Sequence, residues 1–310
     1  EKPRFINQLL FSWLTKRATA DQFDIVHSHE LVSHANIYTM HVPCFRSMWI
    51  NISGFDKFLR FLNTLLSPRK ILYLWLENKQ MKQTSDKHFI SVSEYLSRNI
   101  YQCYPSIKNV SIAHPGISKN FVQQKVKILR KNLSIPKESF LILLVANDFK
   151  KKGLPTIIKS LEILNNNKLH LIVVGNDKKT NNNFSNSISP NIHFLGSVED
   201  MNSLYSEVDL LVHPTLADTY GMAPLEAMSM NIPVIISNMN FCGFSEHLDN
   251  LQALMLDNPR DENELAAKIN FLYQNTNERV KIARNGYEKS KTISWENTLV
   301  NTLEVYRSMT

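Results

Sequence analysis

Short apolar runs of strand length alternate with helix-length amphipathic stretches along most of this 310-residue chain, and that alternation constrains the fold more than any single motif. A continuous apolar strand must be covered on both faces. Helices that carry the chain back to the same edge supply the cover, so the pattern requires parallel sheets assembled from strand, helix, strand units, an α/β fold. Residues 23–27, 36–41, 88–93 and 110–113 read as strands of a first part, and 140–146, 169–174, 192–195, 210–213 and 234–237 as strands of a second. The spacing predicts helices over residues 55–83, interrupted at Pro68, after Ser93 as an N-cap, and over 154–164, 201–207 and 224–230. A closing helix over 294–309 places Leu299, Leu303 and Tyr306 on one face, with Trp295 read as a core or interdomain anchor.

A polar, lysine-rich stretch separates the two parts. It divides the chain into a first domain over residues 1–118, a linker over 119–138, a second domain over 139–290, and a C-terminal helix over 291–310 that returns to the first. Hydrophobic residues at 43% and charged residues at 20% exclude disordered, collagen-like and coiled-coil classes. The longest apolar runs, 71–76 and 140–146, fall far short of the ~20 residues of a membrane-crossing helix, so no spanning segment is expected. Three widely spaced cysteines, Cys44, Cys103 and Cys242, suggest neither a disulfide framework nor a cysteine zinc site and fit a reducing cytoplasm. The net charge of +7 is lopsided, since residues 1–118 hold 14 basic and 8 acidic side chains and the remainder 21 and 20. Such a first part suits an anionic partner: nucleic acid, an acidic lipid surface or a phosphorylated acceptor. With no initiator Met and no signal-peptide pattern at Glu1, the start reads as a cut.

The chemistry is densest in residues 213–228. A strand ends at His213-Pro214, a loop holds Asp218, Gly221 permits close backbone approach, and a helix starts with Pro224 in or near its first turn. The N–H groups of Gly221, Met222 and Ala223, with the helix dipole, would cradle a phosphate at the carboxyl end of a parallel strand. Glu226, about one turn in, suits ribose hydroxyls; a helix cap with a solvated glutamate is the alternative. Lys150-Lys151-Lys152 before Gly153 reads either as a solvated charge run or, beside the preceding strand, as a phosphate site. His27, His29, His34 and His41 lie close in sequence, but without an HExxH spacing or a cysteine partner they are not read as a metal site. Cys242 reads as a packed side chain, not a nucleophile, because no base is evident beside it.

Asp218 and Glu226 with seven residues between them, then Ala227-Met228 and Ile232-Pro233-Val234-Ile235, resemble the signature of the family 4 glycosyltransferases. Asp24-Ile25-Val26-His27-Ser28-His29, Ile90-Ser91-Val92-Ser93-Glu94, His114-Pro115-Gly116-Ile117, Lys152-Gly153, Val173-Val174-Gly175, His193-Phe194-Leu195-Gly196 and Ser294-Trp295-Glu296 follow in that family's order. Pro115, Asp148-Phe149 and Cys242-Gly243-Phe244 are similar to its lipopolysaccharide core glucosyltransferase branch.

The resemblance implies the GT-B architecture, two Rossmann-like domains facing across a cleft, here with a first domain truncated at its N-terminus. Family members carry several tens of residues, including a glycine-rich loop, before the strand that corresponds to Phe23. It also implies a retaining, metal-independent hexosyltransferase with no cofactor. Such an enzyme moves a sugar from a nucleotide-sugar donor to a lipopolysaccharide, polysaccharide or lipid-linked acceptor, in the cytoplasm at an anionic inner membrane face and without nucleic acid. In that reading Asp218 contacts the transferred sugar, Lys152 the donor diphosphate and His41 the donor sugar. Glu226 holds the ribose, with Lys151, Asn147 (where the family has arginine), Gly243 and the acid Glu246 on the same donor side; His29 and Glu30 line the acceptor side. Two other readings stay open: a catalytically inactive donor-binding module or partner subunit, and a nucleotide-sugar epimerase.

Overall fold

The computed structural model describes residues 4–20, 23–50, 53–82, 86–117, 129–177 and 191–309. The first half of the expected linker, residues 119–128, and the greater part of the asparagine-rich loop after residue 176 lie outside those residues. The chain divides into two compact units, Glu1–His114 with Glu296–Thr310, and Pro115–Trp295.

The first unit opens with helix α1 (Arg4–Thr19), followed by β1 (His27–Ser28), β2 (Ile37–Met40), α2 (Gly54–Leu65), α3 (Pro68–Gln80), β3 (His88–Ser91), α4 (Glu94–Cys103) and β4 (Val110–Ile112). Its four strands are parallel and lie in chain order, β1-β2-β3-β4. The helix break falls at Pro68, whose ring is compatible with the first turn of α3 and with nothing later. Ser93 caps α4 by accepting from the Leu96 N–H at 3.1 Å. The expected strand over residues 23–27 shrinks to the two residues of β1, and Phe23 is 61% exposed. Asn36 is the reason: its side chain accepts from the Val26 N–H at 2.7 Å and donates to the Asp24 carbonyl at 2.8 Å, taking bonds a ladder would need.

The second unit contains α5 (Leu129–Asn132), β5 (Phe140–Val145), α6 (Leu154–Leu164), β6 (Leu169–Val174), β7 (Ile192–Gly196), α7 (Met201–Tyr205), β8 (Leu210–His213), α8 (Met222–Ser229), β9 (Val234–Ser237), β10 (Leu254–Leu256), α9 (Glu262–Gln274) and α10 (Thr276–Ser290). All six strands are parallel, in the order β10-β9-β8-β5-β6-β7. This is the doubly wound order, with its reversal between β5 and β8. The central strands β5, β6, β8 and β9 are buried almost end to end, as a sheet covered on both faces demands. Leu154 and Ile157 of α6 and Leu265, Ile269 and Leu272 of α9 close one core against Ile142, Leu144, Leu171 and Val173. β10, α9 and α10, like α1, belong to stretches that carry no clear periodic signal in the sequence.

The last helix, α11 (Trp295–Met309), corrects one expectation. Trp295 is 50% exposed and Leu299 57%, whereas Val305 is the buried residue, packed with Ile37, Ile90 and Ala113 of the first unit. The Asn301 side chain donates to the Ile112 carbonyl at 3.2 Å, and Tyr306 meets His27 Nδ1 at 2.7 Å. Polar contacts along one side therefore set which face turns inward, and Trp295 falls off it. Among the described residues, no helix is long and apolar enough to cross a membrane.

Candidate functional site

In a doubly wound sheet, ligands bind beyond the carboxyl ends of the strands where the order reverses, because the two loops there diverge and leave a crevice. Here those loops follow β5 and β8, carrying Lys152 and Asp218. The two loops touch through Gly153, which has φ +82° and whose missing Cβ would stand 2.1 Å from the Pro214 carbonyl oxygen. Leu216 N–H donates to the Lys151 carbonyl at 2.8 Å, fixing the same junction.

Lys152 and Asp218, 66 residues apart in the chain, form an ion pair between the Lys152 ammonium and Asp218 Oδ2. The same oxygen meets His213 Nε2 at 2.9 Å. Burial opposes ionisation of Asp218, but the His213 hydrogen bond and the Lys152 charge outweigh it and hold the carboxyl well below the usual range. Burial pushes the His213 imidazole down, so it stands neutral and donates through Nε2. Asp218 N–H donates to the Phe241 carbonyl at 2.8 Å and its carbonyl accepts from Gly243 N–H at 3.0 Å, so segment 241–243 clamps its backbone. Gly243 thus comes beside Asp218.

Gly221 precedes α8 with φ +110°, and a Cβ there would sit 2.9 Å from Cys242 Sγ. The helix begins at Met222, two residues ahead of the expected start; Pro224 then stands within the first turn, where a missing N–H costs nothing. The amides of Met222 and Ala223 head the helix at the carboxyl side of β8. Glu226 Oε2 accepts from Tyr205 Oη at 2.8 Å, and burial raises its pKa with that hydrogen bond acting against the rise. It is therefore a held carboxylate, not a solvated one.

The lysine run separates. Lys150 and Lys151 are exposed, and the Lys151 backbone amide, not its ammonium, is tied down, to Asp148 Oδ1 at 2.9 Å; only Lys152 turns inward. Asn147 is exposed beside the turn at Gly175, its Oδ1 3.4 Å from Asn176 N. Glu246 lies in the short 3-10 turn after Cys242. Burial raises the Cys242 thiol to about 12, which agrees with a packed side chain. His213, Asp218 and Cys242 have donor atoms within 4.8 Å of one another, but Lys152 shares the Asp218 oxygen and the thiol stays protonated, a poor donor set for a cation. His213 and Tyr205 were not singled out from the sequence. A histidine at a strand's end five residues before an acid is a signal that could have found the first, whereas Tyr205 meets Glu226 only through the fold.

In the first unit, His29 Nδ1 and His41 Nε2 lie 2.8 Å apart, and the rings of His27, His29 and His41 stack in sequence at centroid distances of 4.7 and 5.1 Å. His29, Glu30 and His41 line a cavity of about 510 Å³ with Gln80, Tyr73 and Phe45. Burial and the neighbouring His29 lower the His41 pKa.

Residues 125–289 match the family described as Glycosyl transferases group 1. Over 160 residues the chain is 30% identical to the lipopolysaccharide glucosyltransferase WaaG of Escherichia coli K12, covering 48% of this chain and 41% of that protein. Over 146 residues it is 30% identical to the O-antigen biosynthesis glycosyltransferase WclY of Escherichia coli, covering 46% of this chain and 40% of that one. The matches thus span well under half the length of these relatives. The crystal structure of WaaG superposes with a TM-score of 0.75 at 21% identity, covering 92% of this chain and 78% of that one, which shows a shared GT-B-like fold. With over half its length matched by the family and its fold shared, this chain belongs to the group 1 glycosyl transferases.

Proposed function

We propose that the chain transfers a hexose, with retention and without a metal ion or other cofactor, from a nucleotide-sugar donor to a lipopolysaccharide, polysaccharide or lipid-linked acceptor. The place of work in this reading is the cytoplasmic face of an anionic membrane. The observation that carries it is the convergence of Lys152 and His213 on one oxygen of Asp218 at the sheet's reversal point, beside the amides that open α8.

Breaking the bond between the anomeric carbon and the diphosphate leaves positive charge on the sugar ring and an electron pair on the departing phosphate oxygen. In this proposal the Lys152 ammonium and the Met222 and Ala223 amides stabilise the departing phosphate, while ionised Asp218 faces the sugar. Glu226, steadied by Tyr205, accepts from the ribose hydroxyls. The groups are held in place before substrate arrives, so little reorganisation accompanies charge separation. His41 and His29 serve the sugar and acceptor ends from the first unit. The names of the relatives support the acceptor class.

Thermal stabilisation by a panel of UDP-, GDP- and ADP-sugars, with transfer of labelled sugar measured in parallel, tests the reading. Lys152→Ala should lower transfer by about 10²–10³-fold, the usual loss on removing one charge-stabilising donor. Glu226→Gln, which leaves Tyr205 an acceptor, should weaken donor binding about tenfold with little change in stability. Binding without turnover would support the inactive module, and epimer interconversion without acceptor would support the epimerase.

A further inference from the structure

The cavity of about 510 Å³ beside β2 is lined wholly by the first unit, and its charge runs against that of the unit around it. Residues 1–118 hold 14 basic side chains, yet no lysine or arginine lines the cavity, whereas Glu30 and Glu77 do. Two cations close by in the chain are engaged elsewhere: Arg46 lies 5.1 Å over the ring of Tyr104, and Lys87 Nζ donates to the Lys79 and Gln80 carbonyls at 3.1 and 3.2 Å. His41, whose pKa burial and His29 lower, adds no charge at neutral pH. A phosphate or carboxylate entering here would lose water with no cation to receive it, a cost that an uncharged ligand escapes.

The polar atoms of the wall call for hydroxyl donors. Gln80 is 3% exposed; its Nε2 donates to Met40 Sδ at 3.9 Å, and its Oε1 has no hydrogen-bond partner among the described residues. A buried acceptor left unpaired costs free energy that a bound O–H group recovers, and the amide turns on a soft terminal torsion that lets such a group reach it. Glu30 stands exposed at the cavity and also accepts. Glu77 is already filled by the N–H groups of Phe45 and Arg46 and by Tyr104 Oη, the last two at 2.9 Å, so it holds the wall together and leaves binding to the others. Phe45 and Tyr73 meet edge to face at 5.9 Å, an aromatic wall whose electron-rich ring face suits the C–H side of a pyranose. The volume falls in the range of ~300–1,000 Å³ that small-ligand sites occupy.

We infer that this cavity takes an uncharged sugar residue of the acceptor glycan and rejects one bearing phosphate or carboxylate, with Gln80 and Glu30 accepting from its hydroxyls. The inference rests on the transferase reading and narrows its acceptor, yet its test reads binding and not transfer. Methyl glycosides of glucose, galactose, mannose and N-acetylglucosamine, with their 6-phosphates and the matching uronides, are titrated into the full chain by ligand-observed NMR. The expected result is that at least one neutral glycoside binds with a Kd at least tenfold below those of its charged forms. Gln80→Leu, close in volume, should weaken that binding at least fivefold with the fold intact by circular dichroism. Glu30→Lys, at an exposed position that keeps the test sound if the buried substitution unfolds the chain, should narrow the preference at least fivefold by tightening the phosphorylated forms. Charged forms that bind as tightly as neutral ones, no binding by any neutral glycoside, or an unchanged preference in folded Gln80→Leu and Glu30→Lys would overturn it. Neutral glycosides that bind as expected without any sugar transfer would fault the transferase reading alone, and transfer to a phosphorylated sugar in preference to its neutral form would fault this inference alone.

Discussion

The two units are built from the same grammar of parallel strands and returning helices, yet they differ where it matters. The second unit's sheet reverses direction between β5 and β8; the first unit's described strands run in chain order with no reversal. The reversal creates the crevice in which Lys152, His213 and Asp218 meet, whereas the first unit gathers its histidines by stacking them along the edge strand β1 and its neighbour β2. The helices differ as well. α6 and α9 bury leucine and isoleucine against the second sheet, while α1 and α2 bury Ser12 and Thr64 and leave Trp13 and Phe55 outside. Helical periodicity thus specifies which residues share a face, and the surroundings specify whether that face is covered.

Core substitution should break the symmetry most. Leu171→Ala in β6, fully buried, should cost about 2–5 kcal/mol of stability by urea unfolding, since the packed sheet cannot collapse around the cavity. A loss under 1 kcal/mol would mean the second core is looser than its burial indicates.

A middle-sized effect should come from the first unit's histidine stack. Burial, with the charges of His29 and His41, pushes His27 from its ordinary 6.5 down to about 4. Between those values the unfolded chain binds a proton that the folded unit refuses, so the contribution is complete above about pH 6.5 and is lost as pH falls toward 4. Because His27 is only half-buried, solvent screening reduces this to about 1–2 kcal/mol. His27→Gln should flatten the fall in unfolding midpoint over that range, and an unchanged slope would assign the pH dependence elsewhere.

The smallest effect belongs to the exposed helix face. Leu66→Ser should alter stability by no more than about 0.5 kcal/mol, in contrast with the loss at Leu171. A larger destabilisation would show that Leu66 packs against protein in solution and would return the first unit to the ordinary pattern.

Much of the strand and helix order was legible because apolar strands and amphipathic helices announce themselves by period. The nine expected strands all appear, eight of them close to their expected extent and β1 only as a two-residue remnant, because Asn36 competes for its ladder bonds. The motif around Asp218 and Glu226 was legible too, through residue spacing, and with it the family. The ion pair of Lys152 with Asp218 was not, and neither were the Tyr205 support of Glu226 and the exposure of Trp295. Each depends on which distant segments become neighbours, a property of strand order and not of local pattern.

By itself, then, the chain's sequence determined two parallel α/β units, the extent of most of the elements that carry a periodic signal to within a few residues, and membership in a family of transferases. Tertiary structure alone decided that one lysine of three turns inward, that His213 grips the acid, and that α2 presents phenylalanine to its surroundings. Periodicity is a short-range property read along one segment, whereas convergence and facing are set by free-energy balances among segments far apart in the chain.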